Sequence, residues 1–313
     1  MEERLLTLLE SILGKSKKTS GNNYAFFSPF AEHYKPKLEV NIGLNSKGSN
    51  PWHCWISDEK GKSIRSLLKK LKVSKEVWEE HNSIFSRKYR YSNLPKNENN
   101  GKTELVQLPK EYIPIWKPST SVIRKHAIRY LESRGITPPE MVKYEIGYCE
   151  EGIYKHKIIV PSYDSNGRLN YFVGRSFYET THKHKNPDVS KDIVGFGMMV
   201  NWDLPIVICE GVFDAIAIRL NAIPLFGKSP QSTLQSEIIR RGVDSVYLVL
   251  DSDAFKNALR FAENLMNEGI NVYLVEMGES DPSELGFDVV NEKIKNTNPL
   301  TLRKLMEYKL VGI

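Results

Sequence analysis

Residues 205–211 read PIVICEG, and residues 246–253 read VYLVLDSD. In each segment a short apolar run ends at carboxylates, which are Glu210 in the first and Asp251 and Asp253 in the second. A short apolar run followed by a helical pattern is typical of a strand buried on both faces of a parallel sheet. Because ligands of open α/β sheets gather beyond the carboxyl ends of the strands, we expect these carboxylates to converge at one edge. Mg2+ (or Mn2+) is the divalent cation that such oxygen ligands favour.

The same part of the chain supplies two more carboxylates at strand ends. Asp214 lies four residues after Glu210, which is about one helical turn away on the same side of a helix. Asp281 follows another apolar run, which ends near residue 275. Strands and helices alternate here with short connections, which predicts parallel strands joined by right-handed crossovers. Carboxylates at the ends of successive parallel strands suit a pair of metal ions that assists in-line displacement at phosphorus.

Length and composition limit the class of protein. A chain of 313 residues has room for two or three domains, each able to bury a core. No apolar run approaches the length of a membrane span, and the first residues show no signal-peptide pattern. The cysteines are few, far apart and odd in number, which fits a reducing compartment without disulfides. We therefore expect a cytoplasmic protein with no membrane contact.

Charge is distributed unevenly along the chain. Residues 1–120, 121–200 and 201–313 carry net charges of +8, +3 and −5, from 21, 12 and 11 basic against 13, 9 and 16 acidic residues. A basic front and middle with an acidic rear suits a protein that holds a polyanion with one part and metal ions with another. Basic surfaces also serve solubility alone, so charge by itself leaves both interpretations open.

Residues 1–80 predict a small domain, with an opening helix, three short strands and a helix over residues 62–72. Its motifs are Ser28-Pro29-Phe30 and the segment 53–57, HCWIS. This layout resembles the zinc-ribbon domain of bacterial and phage DNA primases, where Cys-Pro-x precedes His-Cys-x-x-Cys. Here Ser28 and Ser57 stand where thiolates would, and serine hydroxyls are poor zinc ligands. We therefore expect a degenerate, zinc-ribbon-like template-binding domain without zinc.

Aromatic residues are dense in this domain. We expect them to supply the core that a metal would otherwise supply, and the alternative is stacking on single-stranded bases. They are Phe26, Phe27, Phe30, Trp52 and Trp55.

The middle of the chain predicts a linker and then a basic α+β domain. Residues 81–120 are polar and basic without a sustained period, which indicates a solvated tether, although interleaved Arg and Tyr also suit a phosphate backbone. In residues 121–200, Ser121 and Thr137 are placed to cap two helices. Asn166-Gly167 between two strand patterns predicts a hairpin.

This basic domain also resembles the primase core. Residues 129–136, RYLESRGI, are similar to the "YLxxRGI" helix that opens it. Arg175, in Gly174-Arg175, and Lys185, before Asn186, match stretches that hold template and nucleotides there. A planar guanidinium and a compact ammonium both suit phosphate, although either residue alone is equally an ordinary surface cation.

Residues 201–287 resemble a TOPRIM domain, with Glu210-Gly211 and Asp214, then Asp251-x-Asp253, then Asp281-Pro282. Residues 288–313 predict a helical tail. The fold class expected is therefore multi-domain α/β: a zinc-ribbon-like domain, a linker and an α+β primase core with a TOPRIM parallel-sheet domain and a helical tail. The chain is similar to DnaG-type primases and most similar to those of T-even-like bacteriophages.

The resemblance implies a DNA primase that makes short RNA primers on single-stranded DNA during phage replication, by two-metal nucleotidyl transfer. It implies catalytic and metal-binding roles for Glu210, Asp251 and Asp253, with Asp214 and Asp281 completing the cluster. Nucleotide phosphates would meet Arg175, Lys185 and Lys228, the last in a Gly-Lys-Ser loop that lacks the glycine spacing of a P-loop. The implied partners are template DNA, ribonucleoside triphosphates, a separate hexameric replicative helicase and, as a further candidate, a single-stranded DNA-binding protein.

Two alternatives stay open. A TOPRIM nuclease would use the same carboxylates but would not need the ribbon-like front domain. A non-catalytic single-stranded DNA-binding replication factor would fit the altered zinc ligands but leaves the acidic cluster unexplained.

Overall fold

The computed structural model of the chain describes residues 2–43, 50–84, 106–227, 230, 232–250, 252–278 and 282–311, with the backbone alone at 82, 252–257 and 311. Packing divides the chain into two compact units. The first unit comprises Met1–Gly101, Ile239–Gly242 and Glu263–Ile270, and the second unit comprises Lys102–Ile238, Val243–Ala262 and Asn271–Ile313. The expected mixed α/β class is confirmed, with antiparallel and parallel sheets in one chain.

The first unit contains an antiparallel sheet whose five described strands follow one another in chain order. The predicted opening helix, three strands and later helix are all confirmed, and a further helix over Lys75–Ile84 enters the predicted linker. The elements are α1 (Glu2–Leu13), β1 (Lys17–Lys18), β2 (Asn23–Phe26), β3 (Leu38–Asn41), β4 (Trp52–Cys54), β5 (Lys60–Gly61), α2 (Ile64–Lys70) and α3 (Lys75–Ile84).

The aromatic residues of the first unit divide between core and surface. Phe26 and Trp52 lie in a core to which α1, α2 and the sheet contribute, and they are 0% and 4% exposed. Phe27 and Trp55 are 52% and 62% exposed, so the prediction that they supply the core is wrong. The physical reason is strand geometry: side chains alternate across a strand, so the neighbour of an inward-facing Phe26 points outward.

The second unit begins with a five-stranded antiparallel sheet, whose described strands also follow one another in chain order. Both predicted caps are present: the Ser121 hydroxyl accepts a hydrogen bond from Ile123 N, and Thr137 bonds the Glu140 carboxylate through its backbone and side chain. The predicted hairpin is also present. The elements of this part of the second unit are β6 (Tyr112–Pro114), α4 (Val122–Ser133), α5 (Pro138–Lys143), β7 (Gly147–Cys149), β8 (Lys157–Tyr163), β9 (Leu169–Ser176) and β10 (His184–Lys185).

Part of the predicted linker is structured. Strand β6 pairs with β7, and Ile115, directly after it, is buried in the core of the second unit. A strand of three residues carries no measurable sequence period, so its partner strand alone reveals it. Residues 85–105 of the predicted linker lie outside the described residues.

The parallel sheet follows the predicted alternation of strands and helices. Its four described strands are all parallel, and numbered along the chain they lie side by side in the order second, first, third, fourth. The helical tail is also present, and no helix in the described part of the chain is long and apolar enough to cross a membrane. The elements are β11 (Ile206–Cys209), α6 (Val212–Ile218), β12 (Ala222–Pro224), α7 (Ser232–Arg241), β13 (Ser245–Val249), α8 (Ser252–Asn267), β14 (Asn271–Val275), α9 (Pro282–Leu285), α10 (Phe287–Asn296) and α11 (Leu302–Val311).

Candidate active site

Two carboxylates lie where β11 ends and α6 begins. Glu210 directly follows the buried strand, and Asp214 lies in the first turn of the helix. Gly211 separates them, and a Cβ atom on it would lie 2.9 Å from Asp214 Oδ2, so a larger residue would crowd that carboxylate. Burial first, and then the charges of Asp214 and Glu210, raise the pKa of the Cys209 thiol well above its ordinary value. The end of this strand is therefore a region of negative potential.

The register of the parallel sheet determines what lies beside Glu210. Cys209 pairs with Val249 of β13, and Val249 pairs with Val275 of β14. The carboxyl ends of the three strands are therefore level with one another, at one edge of the sheet. Neighbouring strands are about 4.8 Å apart, so the backbone that follows β13 starts close to Glu210.

The remaining predicted acidic residues are only partly described. Asp251 and Asp281 lie outside the described residues, as does the phosphate-binding candidate Lys228. Asp253 is described by its backbone alone, which is already helical because α8 begins at Ser252. The extended backbone of β13 therefore does not continue as far as Asp253.

Among the described residues, no group of three His, Cys, Asp or Glu side chains is arranged to hold a metal ion. The side chains of Asp251, Asp253 and Asp281 are not among those that the structure describes. Their arrangement therefore stays a prediction. The described residues include two hard oxygen donors, Glu210 and Asp214. They lie at the end of β11, which is level with the ends of β13 and β14. That donor chemistry fits Mg2+ or Mn2+.

A basic residue that the sequence reasoning missed lies beside the acidic edge. Arg134, directly after α4, places its guanidinium carbon 5.4 Å from the ring centre of Phe213, the neighbour of Asp214 on α6. Its Nη1 donates to Ser283 Oγ at 3.3 Å, and Ser283 N donates to Asp214 Oδ1 at 3.3 Å. One serine of α9 thus links the guanidinium to the carboxylate. The motif RYLESRGI contains this arginine, but only the fold shows where it points.

Arg175 is held on β9 by two polar contacts. Its Nη1 donates to His184 Nε2 on the neighbouring strand β10 at 2.6 Å, and its Nε donates to the Tyr130 hydroxyl of α4 at 3.2 Å. The same Tyr130 ring lies 5.3 Å from the Arg134 guanidinium carbon. Because an arginine cannot accept a proton, His184 must accept this hydrogen bond as the neutral imidazole. Arg175 and Arg134 therefore belong to one connected group of side chains.

The surroundings of His184 are strongly positive. Burial, followed by the charges of Arg175, Lys157, Arg134 and Lys183, lowers its pKa below the ordinary value of 6.5. Among the described residues, none of these four cations forms an ion pair with a carboxylate within 4 Å. Gathered cations without carboxylate partners favour a bound anion. Of these four, the sequence reasoning found Arg175 alone.

Lys185 is separated from Arg175. It follows His184 on β10 and pairs with Gly174. Alternation along the strand turns its side chain to the other face of the sheet, where its Nζ lies 5.8 Å from the ring centre of Tyr154. Arg175, but not Lys185, therefore belongs to the connected group of side chains that leads to Asp214.

The comparisons with known proteins agree with this architecture. No protein-family model matches the chain. It is 24% identical over 354 residues to the DNA primase of Thermotoga maritima, an alignment that covers 93% of this chain and 58% of that protein. It is also 27% identical over 164 residues to the uncharacterized protein MG010 of Mycoplasma genitalium, covering 48% of this chain and 74% of that protein.

A solved structure described as the DnaG primase catalytic domain bound to ssDNA superposes with a TM-score of 0.53 at 18% identity, covering 62% of this chain and 80% of that one. The fold is thus a mixed α/β fold of the kind found in primase catalytic domains. By sequence the chain is similar, at low identity, to DNA primases, and its fold is similar to that of a DnaG primase catalytic domain. It spans somewhat more than half the length of the Thermotoga primase. The expected closeness to phage primases stays a prediction.

Proposed function

We propose that this protein is a DNA primase that synthesises short RNA primers on a single-stranded DNA template. The observation that carries the proposal is the connected series of contacts in the second unit. It runs from Arg175 through Tyr130 to Arg134, and from there through Ser283 to Asp214, four residues from Glu210. An anion-binding group and a carboxylate group in one site are what nucleotidyl transfer requires, since a triphosphate must lie beside metal-binding carboxylates.

The carboxylates have the metal-binding role in this proposal. Glu210, Asp251 and Asp253 are the proposed ligands of Mg2+ or Mn2+, and Asp281 is proposed to complete the cluster. When bound, such ions neutralise charge on the reacting phosphate and favour the ionised 3′-hydroxyl of the growing primer. Glu210 is the proposed acceptor of the proton from that hydroxyl. Asp214 has a supporting role, which its hydrogen bond from Ser283 N favours.

The cations have the nucleotide-binding role. Arg175 is already oriented by His184 and Tyr130, so little side-chain freedom is lost when it meets a phosphate. Arg134 is proposed to act with it from the other side of Tyr130. Lys185 and Lys228 stay proposed phosphate contacts, Lys185 from the other face of the sheet.

The first unit is the proposed template-binding domain. Exposed aromatic side chains stack on single-stranded bases, and nearby lysines attract the phosphates between them. Phe27, Tyr34 and Trp55 are 52%, 78% and 62% exposed, and Lys35 Nζ lies 5.0 Å from the centre of the Tyr34 ring. Trp55 is oriented by a hydrogen bond from its Nε1 to Glu39 Oε2 at 3.1 Å.

The wider context is also proposed. The division into a ribbon-like domain (1–80), linker (81–120), basic subdomain (121–200), TOPRIM domain (201–287) and tail (288–313) follows from the sequence patterns. A separate hexameric helicase would unwind the duplex, a single-stranded DNA-binding protein is a further candidate partner, and replication of phage DNA is the proposed setting.

A primer-synthesis assay tests the proposal. The protein is incubated with single-stranded templates of varied sequence, labelled ribonucleoside triphosphates, and either Mg2+ or Mn2+. We expect short RNA products from the wild type, none from Asp251→Asn, and wild-type products from the control Asp288→Asn, which removes an exposed carboxylate on α10. Degraded template without RNA products would identify a nuclease. Tight, salt-sensitive DNA binding without either product would identify a non-catalytic binding factor.

A further inference from the structure

The ribbon-like layout of the first unit implies a zinc ion. The sulfur site of this unit, which consists of Cys54, Ser28 and Ser57, does not suit zinc. Cys54 is fully buried at the end of β4, and its Sγ lies 3.1 Å from the Ser28 hydroxyl. Ser28 Oγ also accepts a hydrogen bond from Phe30 N at 3.1 Å, which leaves the hydroxyl proton free to be donated to the sulfur. The two side chains thus form a direct hydrogen bond.

The 3.1 Å between Ser28 Oγ and Cys54 Sγ is short for two ligands of one zinc ion. With Zn–S of about 2.3 Å and Zn–O of about 2.1 Å, tetrahedral ligands lie about 3.6 Å apart. The donor types are also unsuitable, because structural zinc sites are closed by four Cys or His ligands and this site offers one thiol and the hydroxyls of Ser28 and Ser57. Ser57 Oγ is buried as well, and a neutral hydroxyl is a weak zinc ligand.

The histidines of the same region have other partners. His53 Nε2 bonds Asp58 Oδ1 at 2.9 Å, and His33 Nδ1 accepts from Lys35 N at 3.1 Å. Hydrogen bonds around Cys54 favour its thiolate form, and burial opposes them. Burial alone would raise the pKa of Cys54, but hydrogen bonds from Ser28, Ser57 and the backbone N–H of Ile56 lower it below its ordinary value.

A hydrophobic core supplies what a bound metal supplies in a small domain. Helix α1 places Leu5, Leu8 and Leu9 on one face, fully or almost fully buried, in the same cluster as Cys54, Phe26 and Trp52. Small domains need a metal or disulfides chiefly when their apolar core is too small. Here α1, α2, α3 and the sheet all contribute to one core.

We propose that the first unit folds without a metal ion, because the Ser28–Cys54 hydrogen bond and the core covered by α1 take the place of a structural zinc. The ribbon-like layout is retained as a scaffold while its metal chemistry is lost. This inference concerns the stability of the first unit and does not depend on primer synthesis.

Hydrogen exchange on the full-length protein tests it. We expect protection of the β2–β4 amides to be the same with and without a strong zinc chelator, and the purified protein to contain far less than one zinc per chain. Ser28→Ala should speed exchange of these amides by about 2- to 10-fold, since it removes one hydrogen bond. The control Ser83→Ala, at an exposed hydroxyl on α3, should leave their exchange unchanged. Loss of protection on chelation, stoichiometric zinc, or a Ser28→Ala variant that exchanges like wild type would overturn the proposal.

Cobalt binding gives a second, independent measurement. The variant Ser28→Cys/Ser57→Cys supplies three thiols and should gain the near-ultraviolet absorption of Co2+–thiolate bonds, while the wild type titrated with Co2+ should not. An equally intense band in the wild type would show that the natural side chains already bind the metal, and the proposal would fail.

Discussion

The first and second units use their polar residues in opposite ways. In the first unit, Cys54 and Ser28 satisfy each other inside an apolar core. In the second unit, Arg134 and Arg175 join other cations that form no ion pair with a described carboxylate, and the neutral His184 lies among them. Gathered like charges destabilise a fold, and this is the reason for proposing that a bound anion neutralises them. Apolar packing can take over the stabilising role of a structural metal ion. It cannot take over the role of charged side chains that bind a ligand.

This comparison separates the expected effects of substitutions. Changes at polar residues of the sulfur site should alter the stability of the first unit. Changes at the charged residues of the second unit should alter activity while the fold stays intact.

The largest effect is expected at the acidic edge. Glu210→Gln keeps the size of the side chain but removes the charge that a metal ion requires, so primer synthesis should fall by about 10²- to 10³-fold or more. Glu151→Gln, at an exposed glutamate of the same unit, is the matched control and should synthesise primers normally. Circular dichroism checks that both variants are folded. Near-normal synthesis by Glu210→Gln would remove the metal-binding role from this residue.

Next in size is the effect of Arg175. Arg175→Ala should raise the KM for ribonucleotides by about 10- to 100-fold, because charge-assisted hydrogen bonds to phosphate are lost. Arg175→Lys should recover only part of this, since an ammonium cannot reproduce the planar fork held by His184 and Tyr130. Lys185→Ala, on the other face of the sheet, should have a smaller effect. Steady-state kinetics at saturating template measures all three.

A larger effect for Lys185→Ala than for Arg175→Ala would reverse this order and place the nucleotide on the Tyr154 face of the sheet. Arg168→Ala is the control, since Arg168 is an exposed arginine paired with Asp164 in the hairpin.

A smaller effect is expected at the exposed aromatics of the first unit. Trp55→Ala should weaken binding of single-stranded DNA by about fivefold or more, because one base loses its stacking partner. The thermal stability of the protein should change little, since the side chain is mostly exposed. Fluorescence anisotropy with a labelled oligonucleotide measures the affinity, and Trp116→Ala, at an exposed tryptophan of the second unit, is the control. Equal losses for both variants would mean that aromatic exposure does not mark the template surface.

The sequence predicted the parallel sheet well because its signals are local. Each strand is a continuous apolar run that ends at a polar residue, as at Cys209 and Glu210, and the caps at Ser121 and Thr137 lie within three residues of their partners. Features that depend on distant contacts were missed. Strand β6 exists because β7 pairs with it, and Arg134 belongs to the site because Tyr130, Phe213 and Ser283 surround its side chain.

The smallest effect is a pH dependence that originates at His184. Burial and four cations lower its pKa below 6.5, so between the lowered value and 6.5 the unfolded chain holds more protons than the folded one. Stability conferred by the neutral imidazole is therefore complete above pH 6.5 and is lost as the pH falls through that window.

His184→Gln keeps a hydrogen-bond acceptor for Arg175 but cannot titrate, so the drop in Tm between about pH 7.5 and about pH 5.5 should be smaller than in wild type. His156, whose pKa is also lowered by burial and by Lys155, is unchanged in the variant, so the difference between the two proteins reports on His184. An identical drop in both would show that this histidine is not held neutral by the basic cluster, and the case for an anion site there would weaken with it.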